Sequence, residues 1–153
     1  MKDIFIDTNI AKSFASPISS HYKMLIQWLI TYNNDSDDAF LVLSKKLYNE
    51  YVDSCKNCIK PNCIVLIVEK LRREGRLNNF SNKQIKQFSN TYFRPVVLRN
   101  LRSNQKDRYH IQIVLLSSRK IALTKDVNFT YDLTHFPRFR ATVADCPSKI
   151  SYI

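Results

Sequence analysis

Asp3-Ile4-Phe5-Ile6-Asp7-Thr8-Asn9 decides the reading of this chain. A short, continuously apolar run ends abruptly in an aspartate and two small polar residues. Unbroken apolar runs of this length mark strands covered on both faces, as in a parallel sheet, and not the alternation of a half-solvated one. Two similar runs follow, Phe40-Leu41-Val42-Leu43 and Ile121-Ala122-Leu123-Thr124. Segments with helical periodicity separate them.

The spacing predicts strands at 3–7, 40–43 and 121–124. It predicts helices at about 8–15, at 19–33 with Ser19 or Ser20 as cap, from Ser44 to about Cys58, at 82–92 and at 107–119. Ile64, Ile67, Val68 and Leu71 suit a helix face, with a strand as the alternative. Asn33 to Asp38 reads as a polar loop. Pro95 opens an extended segment, Val96-Val97-Leu98, and Arg140 to Ala144 adds an edge strand. Alternation of this kind implies an α/β fold: a three-layer sandwich with a central, mostly parallel sheet and helices on both faces. At 153 residues and 44% hydrophobic the chain suits one domain over 1–153, with a real core.

In open parallel sheets, ligands bind outside the carboxyl ends of the strands. That rule selects acids. Asp7 ends the first strand, and Asp126 lies just past the strand ending at Thr124. Asp107 opens a helix and shares a face with Ile111 and Val114; a helix dipole there favours its ionisation. Glu50 borders the inward face of the helix after the second strand. Each has a plain structural reading: Asp7 and Asp107 as helix caps, Asp126 as a turn residue, Glu50 as a surface acid paired to Lys46. Together they fall where such a sheet builds its site.

Charge narrows the partner. Lys and Arg total 24 against 13 acids, a net charge of +11. A field of that sign attracts polyanions, and nucleic acid is the default among them; anionic lipid would want a basic amphipathic helix with bulky apolar residues, and none is evident. An acidic protein partner is also compatible. Basic residues cluster at Arg72, Arg73 and Arg76, and again from Lys83 to Arg108. Arg99, Arg102, Lys106 and Arg108 lead up to Asp107 and are the expected nucleic-acid contacts. Tyr92, Phe93 and Tyr109 could stack on unpaired bases, although core packing is the commoner fate of such aromatics. His110 could serve as a general acid or simply pack.

Cys55, Cys58 and Cys63 form C-x2-C-x4-C, with Cys146 far downstream. Thiolate zinc ligation is one reading, but the second close pair of a strong zinc signature is missing. Reduced cytosolic thiols are the other. The apolar runs are too short to span a bilayer and the start has no signal-peptide pattern, so the expected location is cytoplasmic, with no membrane partner.

Ile6-Asp7-Thr8-Asn9-Ile10 resembles the opening motif of PIN-domain nucleases. Glu50 in Lys46-Leu47-Tyr48-Asn49-Glu50-Tyr51-Val52 matches that family's second acid. Asp107 in Asp107-Arg108-Tyr109-His110-Ile111 matches the third, and Asp126 in Thr124-Lys125-Asp126-Val127-Asn128-Phe129 the fourth. The resemblance covers about residues 1–133. It departs from the family at Ile113-Val114-Leu115, where small alanines are usual, and the stretch of about 55–105 and the tail after 137 match nothing familiar. The resemblance implies a metal-dependent endoribonuclease. Asp7, Glu50, Asp107 and Asp126 would hold Mg2+ or Mn2+, with Asp7 and Asp107 as inner ligands. Thr8 and Asn9 would orient Asp7 or the scissile phosphate. Cleavage would leave 5′-phosphate and 3′-hydroxyl ends, usually on RNA. Small members of such families often form the toxin half of a toxin–antitoxin pair, with an acidic antitoxin in the groove; a defence or RNA-processing nuclease, and a homodimer, are equally open. A haloacid-dehalogenase-type phosphatase would need Asp-x-Asp, and Asn9 holds the second position. A non-catalytic nucleic-acid-binding or scaffold protein with the same fold is the main alternative.

Overall fold

The computed structural model describes residues 1–17, 19–56, 60 and 62–153. Five strands form one sheet: β1 (Lys2–Ile6), β2 (Ala39–Ser44), β3 (Leu77–Phe80), β4 (Ile121–Leu123) and β5 (Thr142–Ala144). Their spatial order is β3-β2-β1-β4-β5 and every pairing is parallel. The apolar runs that open the sequence argument occupy its centre. Ile4, Phe5, Ile6, Leu41, Val42, Ala122 and Leu123 are all fully buried, each of the larger ones contributing roughly 1.5–3 kcal/mol of burial.

Helices cover both faces. α1 (Thr8–Ala11), α2 (Ser20–Ile30), α3 (Lys45–Ser54) and α4 (Ile64–Arg73) pack among themselves, and α2 and α4 also lie against β2. α5 (Asn82–Tyr92), α7 (Gln105–Leu116) and α8 (Val127–His135) form a second packed group, with α7 also against β2. α7 is inserted so deeply that six consecutive residues, His110 to Leu115, are buried. The helix is wrapped on more than one side, so the large side chains of Ile113, Val114 and Leu115 suit it.

Local signals account for most boundaries. Ser19, Ser44 and Ser81 cap α2, α3 and α5 by accepting backbone N–H bonds, and Ser81 with Gln84 forms a capping box. The lone glycine, Gly75, follows α4 at φ +70. Its N–H donates to Arg72 O (3.1 Å) and that of Arg76 to Leu71 O (2.8 Å), the two bonds of a Schellman ending. A side chain there would strain the backbone.

Three expectations are corrected. Val96-Val97-Leu98 is not extended but lies in α6 (Pro95–Asn100), because Pro95 sits at the first helical turn, where its missing N–H costs nothing. β3 was not expected. The helix expected to reach Cys58 ends at Ser54, and Cys58 itself lies outside the described residues. The edge strand near 140–144 is β5. No helix among the described residues is long and apolar enough to cross a membrane.

Candidate functional site

The four acids arrive from four places along the chain. Asp7 follows β1 and caps α1, Glu50 lies in α3, Asp107 in the first turn of α7, and Asp126 caps α8 after β4. All four line one open cavity of about 410 Å3, together with Thr8, Asn9, Lys12, Asp53, Ser54 and Lys106. It opens beyond the carboxyl ends of β1 and β4, where the sheet rule places it.

Hydrogen bonds across elements hold this rim. Thr124 Oγ1 donates to Asp7 Oδ2 at 2.6 Å and accepts from the Asp126 N–H at 3.1 Å, joining the first and fourth acids through one hydroxyl. Asn9 Nδ2 donates to Asp7 Oδ2 (3.2 Å), while its Oδ1 accepts from the Lys125 N–H (3.0 Å). The Thr8 N–H donates to Asp7 Oδ1 at 2.7 Å. Thr8 and Asn9 therefore orient Asp7, as well as opening α1. Beneath them the buried Tyr51 hydroxyl donates to Ile6 O at 2.5 Å, tying α3 to the end of β1.

Glu50 is set differently. His110 Nε2 lies 2.8 Å from its Oε2, and Thr8 Oγ1 3.5 Å from the same oxygen. Oε1 of Glu50 is buried with no partner. Lys46 does not pair with Glu50: its Nζ donates to Lys106 O (2.8 Å) and stands 4.0 Å above the Tyr109 ring. Asn104 Oδ1, not Asp107, caps α7, accepting from the Asp107 N–H at 3.0 Å. The Asp107 carboxylate is thus spared capping and borders the cavity.

The electrostatics are those of crowded acids. Burial pushes the Asp7 carboxyl above the usual range, with Glu50 adding to it, against the hydrogen bond from Thr124, the His110 charge and the Thr8 amide. Asp107 is also raised, by burial, then by Asp126 and Asp7. That corrects the expectation from the helix dipole: desolvation and like charges outweigh it. Burial opposes ionisation of Glu50 too, but the hydrogen bond and charge of His110, with Lys46 and Lys106, more than offset it, and its carboxyl falls below the usual range.

The groups that would meet a divalent cation here are the side-chain oxygens of the rim acids. They are hard oxygens of the kind Mg2+ and Mn2+ take, and one of them, Glu50 Oε1, lacks a partner. Among the described residues no three His, Cys, Asp or Glu side chains are grouped closely enough to enclose an ion. Mg2+ usually keeps several waters and takes only one or two carboxylates directly. An ion of that habit suits an open rim of acids.

The basic residues divide. Lys106 lines the acid cavity, and so does Lys12, which was not foreseen. Arg99 and Arg102 line a separate, larger cavity. Arg108 Nε donates to Ser103 O (3.2 Å). Arg76 is only 2% exposed. It binds Glu74, Leu29 O and Ala39 O, so it is structural and not a phosphate contact. Tyr92 and Phe93 belong to an aromatic cluster with Phe88, Phe136 and Phe139. Asp53 and Ser54 lie three and four residues after Glu50 on the same helix face, a period that sequence reading could have used. Of the cysteines, Cys58 lies outside the described residues, Cys63 is buried at the start of α4, and Cys146 contacts Ser148 Oγ at 3.2 Å.

No protein-family model matches this chain, and no curated protein matches it. The functional reading therefore stands on the residues themselves.

Proposed function

We propose that this protein is a metal-dependent endoribonuclease with a PIN-like site. The observation that carries the reading is the convergence of Asp7, Glu50, Asp107 and Asp126 on one cavity, in a chain of net charge +11. Asp7, Glu50, Asp107 and Asp126 repel one another at a wall flanked by Lys12 and Lys106, and they would hold a divalent cation there.

A bound divalent cation would lower the pKa of a water and offset charge on the phosphodiester. The protein's part is positional. Thr124, Asn9 and the Thr8 amide fix both oxygens of Asp7, and His110 fixes Glu50 through Oε2, its buried Oε1 having no hydrogen-bond partner. Lys12 and Lys106 border the same cavity and attract the phosphates. Small, basic and built around this site, the protein suits the toxin of a toxin–antitoxin pair, or a defence or RNA-processing nuclease.

One observation favours a second reading, a non-catalytic nucleic-acid-binding or scaffold protein: no closely grouped ligand trio exists among the described residues. Labelled RNAs incubated with wild type and Asp7→Asn, in EDTA, Mg2+ or Mn2+, separate the two. The expected result is cleavage that needs both metal and Asp7, with 5′-phosphate ends. The loss in Asp7→Asn should exceed the roughly 10–100-fold typical of a supporting residue. Equal cutting by the variant overturns the site. Mn2+ that binds without dependence on the carboxylates, and no cleavage, leaves the second reading.

A further inference from the structure

We infer that the larger cavity, between α6 and α8, seats an unpaired base of the bound RNA, stacked on a column formed by Arg102, Tyr131 and His135. The inference rests on the ribonuclease reading for the nature of the strand.

The cavity has a volume of about 640 Å3, and Arg99, Arg102, Tyr131, Asp132, His135 and Phe136 are among its lining. The Arg102 guanidinium carbon lies 3.4 Å from the Tyr131 ring centroid. The His135 ring centroid lies 3.9 Å from the same ring, with the planes 18° apart. Two groups so close cannot share one face of the phenol, so they sandwich it. The column is guanidinium, phenol, imidazole, and both end members are solvent-exposed. Planar, delocalised end faces are what an unpaired base stacks upon.

The column is braced from beneath. Buried Asp132 accepts the N–H groups of Arg102 (2.8 Å) and Ser103 (2.7 Å), pinning the segment before α7 to α8. His135 Nδ1 lies 2.9 Å from Tyr131 O. A carbonyl only accepts, so Nδ1 carries a proton and the ring is held against its own helix end. Asp132 being occupied by two amides, Arg99 and Arg102 leave the cavity with cationic character.

Stacking of Tyr131 on His135 at i, i+4 alone would be ordinary helix-surface packing. The cavity, the arginine brought from another segment and the relation to the acids set it apart. Asp126 caps the helix that carries Tyr131 and His135. At about 1.5 Å rise per residue, the column lies roughly 7–14 Å along α8 from that acid. At about 3.4 Å per stacked nucleotide, a strand covers this in some two to four nucleotides. Arg102 and Lys106, one beside each cavity, are four residues apart.

The test uses a fluorescent eight-nucleotide RNA of mixed sequence, bound in EDTA so that it stays intact, with a single abasic site moved along it. In wild type, one abasic position should weaken binding by about tenfold. That penalty should vanish in Tyr131→Leu and persist in Tyr131→Phe, which keeps the stacking face. Arg102→Ala and His135→Ala alter exposed side chains and keep the test alive if Tyr131→Leu fails to fold; at least one should abolish the penalty. No RNA binding, no position-specific penalty in wild type, or an equal penalty in every variant overturns the inference. Cleavage of the same RNA in Mn2+ reads the other hypothesis separately. Column-dependent binding without cleavage sinks the nuclease and keeps the base site; cleavage without column dependence does the reverse.

Discussion

His110 Nε2 stands 2.8 Å from Glu50 Oε2, in a histidine that is only 2% exposed and tilted against Phe5. An ionised carboxylate only accepts, so Nε2 carries the proton. The imidazole thereby holds Oε2 of Glu50 and leaves the buried Oε1 without a partner. It is not among the residues that line the acid cavity, so in the proposed site it acts through Glu50. His110→Phe, which preserves shape against Phe5, should leave Glu50 with burial as its dominant influence and raise its carboxyl pKa. Mn2+ affinity measured by calorimetry should fall by about 10–100-fold. Unchanged affinity would show that Glu50 needs no such support.

Asp107 bears on stability. Its carboxyl is raised from the ordinary 3.8 by burial, Asp126 and Asp7. The folded chain therefore holds a proton that the unfolded chain has released, and stability falls as pH climbs from about 3.8 through the raised folded value. Above that window the charge is a net cost. Asp107→Asn should raise the melting temperature in EDTA at pH 7, by roughly 1–4 °C for a gain of at most about 1 kcal/mol, discounted for partial exposure. Added Mn2+ should stabilise wild type and much less so the variant. A variant less stable than wild type in EDTA would contradict the repulsion.

What the sequence disclosed follows from how strongly each element announces itself. β1, β2 and β4 each contain an unbroken apolar run, Ile4 to Ile6, Ala39 to Leu43 and Ile121 to Leu123, because helices cover both faces of the sheet, and the acids after them inherit their positions from sheet geometry. β3, Leu77-Asn78-Asn79-Phe80, was illegible because two asparagines interrupt it; Asn78 sits there to donate to the buried Asp3 carboxylate at 2.7 Å, a purpose visible only in three dimensions. Val96-Val97-Leu98 reads as a strand by composition, and only the proline at the first helical turn decides otherwise. Arg76 looked like one more surface charge. Its burial depends on carbonyls contributed by Leu29 and Ala39, which no spacing reveals.

Arg76 and Glu74 supply a pH prediction. Burial raises the Glu74 carboxyl, but Lys70 and Arg76 together hold it below the ordinary 4.5. A depressed acid contributes stability above its unfolded pKa and loses it as pH falls through the folded one. Wild type should therefore lose stability more steeply than Glu74→Gln as pH drops below about 4.5. At pH 7, Arg76→Leu should cost about 3 kcal/mol, because it takes a donor from two carbonyls, those of Leu29 and Ala39, and leaves Glu74 with Lys70 as its remaining cation. Chemical denaturation at several pH values checks both. Parallel acid limbs for wild type and Glu74→Gln would refute the linkage.

Thr124 decides whether the first and fourth acids act together. Its hydroxyl donates to Asp7 Oδ2 and accepts the N–H of Asp126, and it is only 1% exposed. Thr124→Val keeps the shape and removes the junction, leaving the half-buried Asp126 amide without that acceptor and Asp7 Oδ2 with Asn9 alone, at a cost of about 1–3 kcal/mol. The Asp7 carboxyl, already raised by burial, loses the strongest influence that lowers it and should rise further. Any cleavage that needs ionised Asp7 should then have its acid limb displaced to higher pH. Thr124→Ser, which restores the hydroxyl, should return the limb toward that of wild type while repairing less of the packing. A limb that follows stability across the two variants, and not the hydroxyl, would reduce Thr124 to a structural residue.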